Sequence, residues 1–180
     1  LVLLALFCLG NTEADAATYS GTCGENGDNV KWSLDTESGV LNVTGTGAMY
    51  SYDHWSDDYA PWYLYSSSIK SVKIGDNVTS VGSEAFRDCT SLTGVTIGGS
   101  VTSIGSNAFY GCSSLRAITI PADVAQIGSY AFGNCNALTA IEIPGAITSI
   151  GDGAFSGCTG LTSITTPDNV TTIGDGVLSG

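Results

Sequence analysis

The sequence predicts an α/β solenoid, built from parallel strands and short helices in 23-residue rungs behind a β-rich N-terminal cap. Three observations carry the prediction. The stretch Val101 to Asp123, VTSIGSNAFYGCSSLRAITIPAD, returns as VAQIGSYAFGNCNALTAIEIPGA at Val124 to Ala146 and is preceded by VTSVGSEAFRDCTSLTGVTIGGS at Val78 to Ser100. The step of 23 never slips through a further copy at Ile147 to Asn169 and the start of another at Val170. Apolar residues recur in fixed columns of that repeat, and the 24 glycines with only 12% charged residues fit a turn-rich globular chain. A constant period of this length marks units too small to bury their own apolar face, which must stack on neighbours.

Residues 1 to 9, LVLLALFCL, form an apolar run too short to span a bilayer, followed by the small residues Ala14, Ala16 and Ala17. Residues 1–17 are therefore expected to be a signal peptide truncated at its start, the alternative being a buried strand or helix. A lipoprotein signal is disfavoured because Phe7 precedes Cys8 where a small residue belongs. Cleavage would remove Glu13 and Asp15 and no basic residue, taking the formal charge from −12 to −10.

Residues 18–54 do not follow the repeat. Val30, Trp32 and Leu34 alternate with polar residues, Asp35 to Gly39 is turn-like, and Val40 to Thr44 can return as a second strand, which together read as a β-hairpin. Such a segment is expected to cap the solenoid, since an open first rung would leave strand edges and apolar columns in water. Stepping back 23 residues from Leu92, Val95 and Ile97 reaches Ile69, Val72 and Ile74, and from Ala85 and Phe86 reaches Trp62 and Tyr63. Residues 55–77 thus read as a degenerate first rung of a solenoid covering 55–180, whose last rung is incomplete, as in a fragment of a longer protein.

Within the rung, Leu-x-x-Ile-x-Ile (Leu115, Ile118, Ile120 and their equivalents) is a short strand with β-branched residues facing inward. Val-x-x-Ile-Gly is a second extended piece, and Gly82, Gly105, Gly128, Gly151 and Gly174 are expected to turn the chain through backbone angles other residues avoid. The Ala-Phe segment after each glycine has room for one or two helical turns. Cys89, Cys112, Cys135 and Cys158 occupy one place on every rung. They read as a column of buried free thiols, because zinc sites want paired ligands and the geometry of stacked parallel rungs suits disulfides poorly. Cys23 has no evident partner.

The unit Ile-Gly-x-x-Ala-Phe-x-x-Cys-x-x-Leu-x-x-Ile-x-Ile-Pro, as at Ile104 to Pro121, resembles that of the BspA-like leucine-rich repeat surface proteins. The lead-in from Gly21-Thr22-Cys23 through Gly45-Thr46-Gly47 to Ala60-Pro61-Trp62-Tyr63 is similar to that of secreted bacterial members. The resemblance implies a leucine-rich-repeat solenoid exported to the cell surface, with a role in adhesion or in binding proteins of a host or neighbouring cell. Gly98 stands where later rungs have proline, Thr166 replaces an isoleucine, and no wall anchor is visible.

Composition excludes other classes. A net charge of −12 with five Lys and Arg opposes nucleic acid, and no basic amphipathic helix offers itself to a membrane. His54 is the only histidine, so neither a catalytic triad nor a zinc hydrolase is indicated, and no cofactor or metal is expected. Asp53, Asp57 and Asp58 lack the spacing of a calcium loop and read as a solvated turn. The Asn-Val-Thr sequons at Asn42, Asn77 and Asn169 matter only in a eukaryotic host.

Two candidate surfaces remain. The outward positions of the Leu-x-x-Ile-x-Ile strands form the columns Lys70, Thr93, Arg116, Thr139, Thr162 and Lys73, Thr96, Thr119, Glu142, Thr165. A long polar face of this kind suits another protein or a glycan better than a small molecule, which wants a concave pocket. The second is the aromatic cluster Trp55, Tyr59, Trp62 and Tyr63, flanked by Tyr50, Tyr52 and Tyr65, which either covers the first rung or stacks on sugars. The expected function is a secreted or cell-surface, non-catalytic module that binds proteins. A carbohydrate-binding module and a targeting or spacer region of a larger wall-associated enzyme stand as alternatives.

Overall fold

The computed structural model describes residues 17–180, so the expected signal peptide lies, apart from Ala17, outside the described residues. The chain coils as a solenoid of 23-residue rungs whose two extended pieces pair in parallel from rung to rung, one building a continuous six-stranded sheet and the other a five-stranded and a two-stranded sheet. The non-repeating segment supplies β1 (Thr18–Gly24), β2 (Gly27–Asp35), β3 (Val40–Gly45) and β4 (Gly47–Ala48). The Leu-x-x-Ile-x-Ile strands are β5 (Ser71–Ile74), β7 (Gly94–Ile97), β9 (Ala117–Ile118) and β11 (Ala140–Ile141). The Val-x-x-Ile strands are β6 (Val78–Val81), β8 (Ser103–Ile104), β10 (Gln126–Ile127), β12 (Ser149–Ile150) and β13 (Thr172–Ile173).

The hairpin joins the repeats as if it were a rung. β1, β2 and β3 form an antiparallel meander, and β3 then pairs in parallel with β5, and β5 with β7. Leu41 lies opposite Val72 and Val72 opposite Val95, while Val43 lies opposite Ile74 and Ile74 opposite Ile97, so the inward residues of the hairpin continue the repeat's columns. β4 does the same on the other side, opening a six-stranded sheet that runs without a break through β6, β8, β10, β12 and β13.

The interior is a set of columns. Phe86, Phe109, Phe132 and Phe155 are buried and stack ring on ring, with centroids 5.2, 5.4 and 5.4 Å apart. Stepping back one repeat puts Tyr63 beneath Phe86, but Trp62 takes that place, its ring 5.6 Å from Phe86 at 17°. Its indole Nε1 donates to Ala85 O at 2.7 Å. At the opposite end the columns reach solvent, with Ile173 56% and Leu178 48% exposed.

The expected short helices are not helices. After each Val-x-x-Ile-Gly the chain makes successive turns with left-handed residues in two columns, Glu84, Asn107, Tyr130, Gly153 and Asp88, Gly111, Asn134, Gly157. A right-handed helix cannot contain them. The backbone N–H groups that a helix would use internally leave the rung: those of Glu84, Phe86 and Asp88 donate to the carbonyls of Ser106, Ala108 and Tyr110 at 2.9, 2.8 and 2.7 Å. The same triplet recurs in the following rungs, from Asn107, Phe109 and Gly111 to Ser129, Ala131 and Gly133.

The conserved-register glycines have a different cause from the one expected. Gly82, Gly105, Gly128 and Gly151 are absent from the positive-φ residues, which fall just after them. Their constraint is close approach: a Cβ at Gly105 would lie 2.5 Å from Ser83 N and 2.8 Å from Gly82 C of the rung before.

Candidate functional site

Side chains alternate along a strand, so the inward set just described leaves the intervening residues on one outer face. Every member of the two predicted columns, Lys70, Thr93, Arg116, Thr139, Thr162 and Lys73, Thr96, Thr119, Glu142, Thr165, is exposed. The strand pairing carries this face into the N-terminal hairpin: Thr96 lies opposite Lys73, Lys73 opposite Asn42, Asn42 opposite Ser33, and Ser33 opposite Ser20. One row over, Lys31 stands between Thr22 and Thr44. Lys31, exposed on β2, therefore shares the face with Lys70, Lys73 and Arg116. Sequence reasoning missed it. The alternation around Trp32 shows that Lys31 points away from the core, but only the β3 to β5 register puts it beside the repeats.

Part of the threonine content serves the stack itself. Thr93 Oγ1 donates to Lys70 O at 3.2 Å and Thr139 Oγ1 to Arg116 O at 3.5 Å. These hydroxyls saturate carbonyls of the preceding rung and retain only acceptor capacity toward a partner.

The sheet beneath this face is interrupted. β7 pairs with β5 but not with β9, and β9 pairs only with β11. Open grooves lie along this side: about 360 Å³ between Thr96 and Thr119, about 440 Å³ between Thr119 and Glu142, and about 530 Å³ among Thr139, Glu142, Thr162 and Thr165. A fourth depression of about 350 Å³ borders Lys31, Thr22 and Thr44 on the hairpin. Val95, Ile97 and Ile141, packed against the core and only partly buried, supply apolar walls to these grooves.

The aromatic cluster separates into an inner and an outer part. Trp62 is 1% exposed, in the phenylalanine stack and edge-to-face with Trp32, and is withdrawn from solvent. Trp55 is 86% exposed. Tyr59 and Tyr63, half-buried, stack on each other at 4.3 Å, and His54 meets both edge-on at 5.1 and 6.3 Å. Tyr52 is buried, which drives its phenol pKa well above the ordinary value.

The nearby carboxylates have local duties. Asp53 accepts from Trp55 N at 3.0 Å and from the Ser56 hydroxyl at 2.6 Å, capping the 3-10 turn His54–Ser56, and these bonds hold its pKa below the usual range. Asp57 accepts from Tyr59 OH at 3.0 Å, which raises the tyrosine's pKa. Among the described residues no three His, Cys, Asp or Glu side chains converge to hold a metal ion.

The cysteine column is interior. Cys112, Cys135 and Cys158 donate to the carbonyls of Phe86, Phe109 and Phe132 at 3.2, 3.2 and 3.0 Å, and Cys89 begins the column. Burial pushes the thiols of Cys89 and Cys23 up to about 12, and raises that of Cys112 as well. Cys23, Cys89 and Cys112 are therefore poor nucleophiles, because the thiolate is the reactive form, whereas the hydrogen bond with Cys135 lowers the pKa of Cys158.

Residues 61–180 match the BspA type leucine rich repeat region, in six copies. No curated protein matches the chain. Among solved structures, a leucine-rich repeat protein from Eubacterium ventriosum is 31% identical with a TM-score of 0.70, over 87% of this chain and 40% of that one. A leucine rich cell surface protein from Faecalibacterium prausnitzii is 30% identical with a TM-score of 0.66, over 93% of this chain and 48% of that one. The T. pallidum leucine-rich repeat protein, at 19% identity and a TM-score of 0.58 over 79% of this chain and 82% of that one, shares the fold alone. The chain thus spans under half the length of the Eubacterium and Faecalibacterium proteins.

Proposed function

Since the chain belongs to the BspA-type leucine-rich repeat family, whose repeats generally serve to bind proteins, we propose that it is an exported cell-surface module that adheres to proteins of a host or neighbouring cell through its outer strand face, without catalysis. Residues 1–17 direct export in this reading, 18–54 close the first rung, and 55–180 form the binding solenoid. Support for the location comes from the similarity to the Faecalibacterium cell surface protein.

One observation carries the choice of surface. On a chain of formal net charge −12 with five basic residues, Lys31, Lys70, Lys73 and Arg116 lie on a single outer face, beside grooves and partly buried isoleucines. Arg87, the remaining basic residue, is bound to Glu84 at 3.0 Å. A face that is locally basic on an acidic body steers an acidic partner to one orientation, and apolar clefts between rungs hold it there.

The test is binding of fluorescently labelled protein to intact, protease-treated and glycosidase-treated cells. Protease treatment should abolish binding, and the folded triple variant K70E/K73E/R116E should bind roughly tenfold more weakly, mainly through slower association. Unchanged binding by that variant, with an unchanged melting temperature, rejects the surface. A second reading is favoured by the 86% exposure of Trp55, a carbohydrate site on the aromatic cluster, for which glycosidase sensitivity would speak.

A further inference from the structure

Between the non-repeating segment and the first full rung lies a small pocket that neither strand face uses. Tyr52, His54, Asp58, Tyr59, Ala60 and Tyr63 line it from one side, Glu84 and Arg87 from the other. Its free space is about 10 Å³, room for about one oxygen with its hydrogens. Tyr52 OH, His54 Nδ1 and Arg87 Nε are buried without a hydrogen-bond partner in the protein, Arg87 Nε having only the longer ion-pair contact to Asp88 Oδ2 at 3.4 Å, and all three belong to residues of this one pocket.

The neighbouring polar groups are satisfied, which makes the three stand out. Arg87 Nη1 donates to Glu84 Oε2 at 3.0 Å, Asn107 Nδ2 to Glu84 Oε1 at 2.8 Å, and Tyr59 OH to Asp57 Oδ1 at 3.0 Å. Arg87 is also fixed from behind, its guanidinium 4.5 Å from the centre of the Tyr110 ring. A buried polar group left unpaired is costly, so the residues are arranged for an occupant.

The chemistry of the three groups selects the occupant. Arg87 Nε–H can only donate, Tyr52 OH can donate or accept, and His54 Nδ1 does either according to tautomer. A hydroxyl, which accepts two bonds and donates one, answers all three. An anion would face Asp58 and Glu84, and a cation would face Arg87. Beside the pocket, the Trp55 ring stands edge-on to His54 at 5.9 Å and open to solvent, a flat apolar platform.

We propose that this seam pocket is the hydroxyl subsite of a neutral pyranose that lays its C–H face on Trp55 and inserts one hydroxyl among Tyr52, His54 and Arg87. The inference deepens the carbohydrate reading of the aromatic cluster and adds to it a recognition element drawn from the first repeat. The hydroxyl oxygen can come from the sugar or from water, and the two are separable.

The experiment is titration of the full chain with the methyl glycosides of glucose, galactose, mannose and N-acetylglucosamine, read by tryptophan fluorescence and by calorimetry. Wild type should bind at least one of them, W55A should lose that binding with an unchanged melting temperature, and Y52F should weaken it about tenfold. Binding that W55A abolishes and Y52F leaves intact overturns the subsite while sparing the Trp55 platform. Failure of wild type to bind any of the four overturns both, and leaves the pocket to water.

Discussion

Phe109→Ala tests the claim on which the architecture rests, that equivalent side chains of successive rungs form one interior. Phe109 is fully buried and has a ring on each side, Phe86 at 5.2 Å and Phe132 at 5.4 Å, whereas Phe155 stacks on Phe132 alone among the described rings. Truncating a core phenylalanine costs about 3–5 kcal/mol. Each aromatic pair contributes about 0.5–1.5 kcal/mol beyond area burial. Two lost pairs put Phe109→Ala near about 5 kcal/mol and one lost pair puts Phe155→Ala near about 4 kcal/mol. At about 2–4 °C per kcal/mol for a chain of this size, Phe109→Ala should lower the melting temperature by about 10–20 °C. Urea unfolding by circular dichroism measures both, and a cycle with Phe132→Ala should give a coupling of about 0.5–1.5 kcal/mol. Equal costs at the two positions together with zero coupling would refute the stack as a shared structure, leaving only independent burial.

Three further outcomes are expected. Cys23, Cys89 and Cys112 should not react with a disulfide reagent at pH 8 until the chain is unfolded; and because the folded pKa of Cys89 is raised from 9.0 to about 12, its contribution to stability should be flat below pH 9 and fall as pH rises from 9 toward 12, where only the unfolded thiol ionises. A melting temperature that rises over that window would contradict the burial. Gly105→Ala, whose Cβ meets backbone 2.5 Å away, should destabilise by at least about 2 kcal/mol. The control Gly99→Ala, with nothing within 4 Å, should change stability by under about 0.5 kcal/mol. Tyr130→Asn should stabilise by about 0.5–1 kcal/mol, since Tyr130 holds φ 53° and is 44% exposed, and asparagine adopts that conformation more readily.

What was legible from the sequence was whatever repeats. The constant 23-residue step fixes which side chains lie over one another, so the Ile104, Phe109, Cys112 and Leu115 columns could be read before any coordinate, and with them the outward Lys73 and Thr96. Conformation inside the rung was less legible. A seven-residue Ala-Phe segment is compatible with helix by composition, and only the outward hydrogen bonds of Phe86 and Asp88 to the next rung decide for turns. Gly105 was recognised as obligatory but for the wrong reason, since periodicity reveals that a side chain is forbidden and not what forbids it. Least legible was the junction with the first rung. Trp62 displaces Tyr63 from the phenylalanine column by one residue, and Lys31, Tyr52 and His54 gain their neighbours through contacts that no repeat announces.

The turn segment gives the stack a direction. Its alternate backbone N–H groups point one way: Glu84, Phe86 and Asp88 donate toward the next coil, as do Tyr130, Phe132 and Asn134 two coils on. Peptide dipoles aligned head to tail do not cancel, so this column behaves like a helix laid across the coils, whose first layer presents carbonyls that need donors from outside the column, Ser83 O taking one from Tyr52 N at 3.0 Å. Trp62 answers the first need, its indole N–H supplying Ala85 O with the donor that an earlier coil would have offered. A lid on the opposite end of such a column would have the reverse task, bringing acceptors to its amides, so the two ends of an array built this way could not exchange lids.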